Sequence, residues 1–299
     1  MINRLLSNNL LLLVILSAIW GSAFFAIKIS INYFHPVSVA SLRLIIGAIF
    51  LYLFFSYKKY SFNFFKKNFF IIILIGFIGN FIPFFLISWS EQYIQSNTAA
   101  LLLSVAPIFT LILSHFMTYD DKFSLFKLIS IIIGFIGVLF IFGIQTLFSM
   151  SYGNLDSVVP KLAVIVAALG YVISSILAYN LKKVNIIELT TFATISAALI
   201  SIPFMIYYEI NFPSNYEFRY FIPIIYLGIF PTAIAFIIRF HIISKAGPVF
   251  LSYVAYLIPA FAILFGYIFL SEKINFSSLI GIILILLGVY FGQKKKLMN

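Results

Sequence analysis

The sequence predicts an all-α integral membrane protein whose ten transmembrane helices form two inverted five-helix repeats. Three observations carry that expectation. The 299 residues are 63% apolar and 9% charged, whereas an ordinary soluble domain is about 25% charged. The apolar residues gather in unalternated runs of about 20, enough helix to cross ~30 Å of hydrocarbon; barrel strands would alternate over about 10 residues. Landmarks of the first half also return in order in the second.

Taken in order, polar or charged breaks divide the chain into spans at 9–33, 36–56, 68–90, 97–118, 125–146, 159–181, 186–208, 219–241, 248–270 and 275–293. The first run imitates a secretion signal but continues to Tyr33 without a small-residue cleavage pattern, so it reads as a retained span. Pro36, Pro160 and Pro248 fall at proposed helix starts, where a missing N–H is no loss. With the N-terminus placed in the cytoplasm, fourteen basic residues fall inside: Arg4, Lys58, Lys59, Lys66, Lys67, Lys122, Lys127, Lys182, Lys183, Arg239, Lys245, Lys294, Lys295 and Lys296. Three fall outside: Lys161, Arg219 and Lys273. The bias predicts a multi-pass protein of the plasma (inner) membrane with both termini cytoplasmic.

The repeat is seen by comparing SVAPIFTLILSHFMTYDDKFSLFKLISIIIGFIGV with AYLIPAFAILFGYIFLSEKINFSSLIGIILILLGV. Pro107 matches Pro259, and after a one-residue shift Asp121-Lys122 matches Glu272-Lys273 and Gly137-Val138 matches Gly288-Val289. Gly76 and Gly228 share the 152-residue spacing of the two prolines. Residues 1–150 and 151–299 therefore read as two copies of five spans each, and an odd number turns the second copy upside down in the membrane. Such pairs surround a midplane site and exchange inward-open and outward-open shapes. Pro83 and Pro107 in the third and fourth spans, and Pro231 and Pro259 in the eighth and ninth, each remove a backbone hydrogen bond and are the hinge candidates.

The segments AIWGSAFFAIKIS and HPVSVASLRLIIGA, then NTAALLLSVAPIFTLILSHFM, then LSYVAYLIPAFAILFGYIFLSEKI, resemble the ten-helix EamA branch of the drug/metabolite transporter superfamily over nearly the whole chain. The resemblance implies two EamA-like repeats around a central cavity, in a permease for small metabolites, often an exporter of amino acids or related compounds. It leaves the substrate open. The chain departs from the family pattern at Tyr119-Asp120-Asp121, where a Gly-Glu step is commoner, and at Thr191-Phe192-Ala193, where the second copy lacks a counterpart of Arg43.

Two cations fall within spans. Lys28 lies near the outer end of the first span, where it reads as snorkelling to the headgroups or as an aid to Arg43. Arg43 is seven residues below Pro36, about 10 Å inside the boundary, so it must face the interior and find a partner. One reading ties it to Glu91 or a carbonyl; the other has it attract the carboxylate of an anionic or zwitterionic substrate. Trp20 and Ser22, near the midplane, are candidates for the cavity wall or for close helix packing. Asn80 is an amide at membrane depth that needs partners, and Tyr171, Tyr253 and Tyr256 offer hydroxyls and ring faces to a ligand or to neighbouring helices.

The same inventory excludes classes. Without cysteine, disulfides, thiolate metal sites and Cys nucleophiles are ruled out. The net charge of +11 is scattered among loops, which does not suit nucleic acid. Paired acids, a His-rich metal cluster or a Ser with a base at one depth are all missing, so neither an enzyme nor a cofactor or metal is expected. The partners expected are the bilayer and a small-molecule substrate. With all eight Asp and Glu in or beside loops, facilitated transport or exchange is expected rather than a carboxylate proton switch. The function expected is secondary transport of amino acids or other small carboxylates by alternating access, in the export direction; a channel-like pore and an uptake carrier stand as alternatives.

Overall fold

The computed structural model describes residues 8–60, 62–142, 155–181, 185–211, 217–270 and 276–294. The proposed boundary between residues 150 and 151 lies outside the described residues, as do Arg4, Lys182, Lys183, Glu272, Lys273, Lys295 and Lys296. Among the described residues nine helices are long and apolar enough to cross a membrane: Asn9–Ser30, Pro36–Tyr57, Asn63–Ser90, Ser96–Met117, Leu125–Phe142, Val158–Asn180, Ile186–Asn211, Phe218–Ala246 and Pro248–Phe265. A shorter apolar helix, Phe276–Gly292, completes ten. They are numbered below as the first to tenth spans. One end of the bundle carries the loops with Lys58, Lys122 and Lys245, and is the lysine-rich face; the other carries His35, Glu91 and Glu217.

The starts follow capping chemistry. Asn8 accepts the Leu10 and Leu11 N–H groups at 3.1 and 3.3 Å, and His35 Nδ1 accepts that of Val37 at 3.3 Å with Pro36 behind it. Pro248 likewise opens the ninth span. Pro160 departs from expectation. The sixth helix begins at Leu155, so Pro160 lies within it, and its carbonyl accepts the Ser90 hydroxyl of the third span at 2.9 Å.

The packing is cross-wise between halves. The second span lies on the seventh and the fifth on the tenth; the third meets the sixth and seventh, the eighth meets the first and second, the fourth meets the sixth and the ninth meets the first. Exchanging each span of one half for the span five places away leaves that scheme unchanged. Gly76 and Gly228 have matching roles in it. A Cβ on Gly76 would collide with the Ala193 carbonyl of the seventh span, and one on Gly228 would stand 2.6 Å from Ile46 Cγ2 and 3.1 Å from the Arg43 carbonyl of the second.

Irregular backbone is also paired. The third and eighth spans contain π-helical turns, Phe77–Phe81 and Gly228–Ile234, with Pro83 just beyond the first and Pro231 inside the second. Such turns hold one extra residue and redirect side chains, often at functional sites. The fourth span breaks between Ser96–Leu103 and Ala106–Met117, with Pro107 just beyond the break. The ninth breaks at Tyr253, and Pro259 lies inside its second helix, Val254–Leu270.

Candidate functional site

Seven spans, all but the fifth, seventh and tenth, line a cavity of about 100 Å³. Apolar side chains such as Phe24, Phe84 and Ile258 make up most of its wall. Its polar and aromatic groups are Trp20, Arg43, Thr110, Tyr171, Ser175, Arg239 and Ser252, and no Asp, Glu or His lines it among the described residues. Two guanidinium groups thus share an apolar chamber without a carboxylate, and a field of that sign in a low-dielectric space attracts an anion.

Arg43 is 2% exposed, and its Nε donates to Thr232 Oγ1 in the eighth span at 3.2 Å. The guanidinium carbon lies over the Phe84 ring, 3.6 Å from its centroid, a cation–π contact. The terminal nitrogens make no hydrogen bond among the described residues, and no carboxylate stands within ion-pair distance. A tie from Arg43 to Glu91, one of the two readings of the sequence, is therefore not made. Thr232 passes the bond on, donating at 2.8 Å to the Leu227 carbonyl, which Pro231 has no N–H to reach. Trp20 braces the same turn, its Nε1 donating to the Pro231 carbonyl at 3.1 Å while its ring stacks near Tyr171.

Arg239 is 1% exposed and far better satisfied. Its Nη2 donates to Ser174 Oγ at 2.6 Å, Ser175 Oγ at 3.1 Å and the Tyr171 carbonyl at 3.2 Å, while Nη1 approaches the Gly79 carbonyl at 3.5 Å. Each arginine thus reaches the π-helical turn of the opposite half. This placement corrects the sequence reading, which counted Arg239 with the inner-edge cations. The eighth helix continues to Ala246, leaving Arg239 two turns inside it and thirteen basic residues in the inner tally.

Of the substrate-site candidates, the structure brings Trp20, Arg43 and Tyr171 together in the cavity. Ser22 is outside, bonded to the Tyr226 hydroxyl and the Ile19 carbonyl. Asn80 is wholly buried in the first π-helical turn, and neither its amide nitrogen nor its oxygen has a partner among the described residues. Tyr256 is buried with its hydroxyl on the Ile131 carbonyl at 3.1 Å. Tyr253 lines a wider recess at the lysine-rich face together with Asp121, Lys127 and Tyr179. There Asp121 pairs with Lys127 at 2.6 Å and accepts the Val249 N–H at 3.0 Å, tying the fifth span's approach to the start of the ninth. Gly247 permits that contact: its φ is +88°, and a Cβ would stand 2.8 Å from Asp121 Oδ2. Besides Arg239, sequence reasoning passed over Thr110, Ser175, Thr232 and Ser252. Their hydroxyls are common in membrane helices, and depth alone does not single them out.

Comparison with known proteins agrees with this architecture. The chain is 26% identical over 291 residues to the uncharacterized transporter YoaV of Bacillus subtilis (strain 168), covering 94% of each protein. It is 28% identical over 283 residues to an uncharacterized transporter of Archaeoglobus fulgidus, covering 93% of this chain and 95% of that one. A solved crystal structure superposes with a TM-score of 0.77 over 96% of this chain and 98% of its own, at 16% identity, a likeness of fold. The model of the EamA-like transporter family matches residues 8–143 and again 161–291. The chain thus belongs to the EamA-like transporter family, and it is a multi-pass membrane transporter.

Proposed function

We propose that the protein is a secondary transporter of small carboxylate-bearing metabolites, amino acids or simple organic acids, which it carries through the central cavity by alternating access. The observation that carries this reading is Arg43. Its charge is buried in an apolar chamber, and among the described residues its terminal nitrogens are uncommitted and no carboxylate lines the chamber or pairs with it. A planar fork of donors in that state matches a carboxylate, which would bind it bidentately. Arg239 supplies a second positive charge but spends its donors on the sixth span, so it sets the field more than it grips the ligand.

The two halves act as inverted copies, a reading supported by the exchange-invariant packing and the paired π-helical turns. The prolines at 83, 107, 231 and 259 soften the spans that rock. The lysine-rich face is cytoplasmic in this reading, with both termini there and the cavity opening to each side of the plasma membrane in turn. Net direction follows the summed gradients of the species that cross, so a carboxylate accumulated steeply enough in the cell is exported.

The test is counterflow in liposomes, with pyruvate and L-alanine as probes. Wild-type protein should exchange at least one of them, Arg43→Ala should lose at least tenfold in rate, and Arg43→Lys should recover little, because an ammonium lacks the fork. Normal exchange by a correctly inserted Arg43→Ala protein would remove the substrate role of this residue.

A further inference from the structure

We propose that Glu91 is a proton-binding site coupled to the anion site at Arg43, so that a proton and a carboxylate cross the membrane together. The proposal rests on the reading of Arg43 as the substrate's ligand. Glu91 is the first residue beyond the third span and is 0% exposed. Its Oε2 accepts the Ser96 hydroxyl at 2.8 Å, while Oε1 has no hydrogen-bond partner among the described residues. It also makes no ion pair among them. The sequence reading placed every acid in or beside loops and expected no proton switch. Glu91 does stand in a loop, but one folded under neighbouring spans so that its carboxyl has lost water.

Each element around it contributes. The first span brings Lys28, whose Nζ donates to the Glu91 backbone carbonyl at 2.7 Å and acts on the carboxyl by its charge alone. The second brings the charge of Arg43, acting through space, and the fourth brings Ser96. The sixth packs alongside through the Pro160 carbonyl, which takes the Ser90 hydroxyl, and carries Lys161 one residue further on. Burial holds the carboxyl up at about 8, while Ser96, Lys28 and Arg43 pull it the other way. A half-bonded carboxylate away from water is costly, whereas the neutral acid is not.

The coupling follows from charge. In the empty protein Arg43 favours ionised Glu91. A bound carboxylate cancels that charge, and near pH 8 and above, where the empty site is ionised, one proton from water then adds to a Glu91 carboxylate oxygen. By reciprocity, protonated Glu91 leaves Arg43 free of a competing negative charge and tightens anion binding. The load that crosses is one anion and one proton where the receiving side is near pH 8 or above, since only there does the emptied site give its proton to water.

The first test needs no substrate. The carboxylic-acid band of the purified protein is followed by infrared difference spectroscopy over about pH 6 to 10 in wild type, Glu91→Gln and Arg43→Gln. The expected result is an acid band that fades as pH rises through about 8 and is missing in Glu91→Gln. In Arg43→Gln, where the cation is removed as a bound anion would cancel it, the titration moves towards alkaline pH. A carboxyl ionised over the whole range, or coincident wild-type and Arg43→Gln titrations, overturns the proposal. The second test measures pyruvate flux in liposomes under a pH gradient. An acid source side should speed flux at least threefold in wild type and leave Glu91→Gln unaffected. Flux that needs Arg43 but keeps its gradient response in Glu91→Gln overturns the proton role alone. Flux unchanged in Arg43→Ala overturns the Arg43 reading instead.

Discussion

The Thr232 hydroxyl is where the geometry makes its sharpest claim, because one oxygen serves two purposes there. It accepts from Arg43 Nε at 3.2 Å and donates to the Leu227 carbonyl at 2.8 Å. Thr232→Val keeps the shape and removes both bonds. An interhelical hydrogen bond in a membrane protein is worth about 0.6 kcal/mol on average and up to about 1.7, and a buried donor left without its acceptor costs about 1–3 kcal/mol. The substitution should therefore destabilise the protein by about 1–3 kcal/mol. Thr232→Ser is the control: it keeps the hydroxyl and loses one methyl group packed towards Gly47, a loss of about 1 kcal/mol. The assay is reversible unfolding in mixed micelles, together with pyruvate counterflow. Valine should be the more destabilising change and should also slow exchange, because Arg43 loses the bond that sets its orientation. Valine proving as stable and as active as serine would refute the relay from Arg43 through Thr232 to the π-helical turn.

Other outcomes follow from the same geometry. Gly76→Ala and Gly228→Ala should each destabilise by about 1–3 kcal/mol, the range for overpacking, in detergent melts; tolerance at both would contradict the close approaches to the seventh and second spans. Gly247→Ala should weaken the closure between Asp121 and Val249, seen as faster hydrogen exchange at the start of the ninth span, because a positive φ and a crowded Cβ act together. His35 is held below its usual value by burial, with Glu209 opposing. The unfolded chain then binds the proton more readily, so stability should rise with pH up to the ordinary histidine value of about 6.5 and fall on acidification below it. His35→Asn, which can still cap the second span, should flatten that slope in unfolding measured at several pH values.

The spans were legible because the membrane imposes a length and a polarity that run composition alone reveals. Arg43 was legible by depth, counted from Pro36. Arg239 was open to the same argument: it lies seven residues before the helix end at Ala246, as deep as Arg43 below Pro36. Placing the end of the eighth run at residue 241, beside His241 and Lys245, hid it. The π-helical turns left only their prolines as a trace, since one extra residue in a single turn does not disturb an apolar pattern uniform on all sides. Burial of Glu91 could not be read locally. Its neighbours Ser90, Gln92 and Tyr93 are those of a surface loop, and its water is displaced by packing of distant spans. For the same reason depth and residue type could not separate Asn80, Tyr253 and Tyr256, which do not line this cavity, from Trp20, Arg43 and Tyr171, which do.

The central claim, one anion-attracting chamber reached in turn from each side of the membrane, can be tested on a chain that has no cysteine of its own. Ser252 lines the cavity, and among the described residues its hydroxyl bonds only the nearby Val249 carbonyl, so Ser252→Cys leaves both arginines undisturbed. In oriented vesicles, a charged, impermeant thiol reagent should modify this cysteine from either side, and a transported carboxylate should slow the reaction at least fivefold. Modification from one side alone, at a rate no carboxylate alters, would contradict the account.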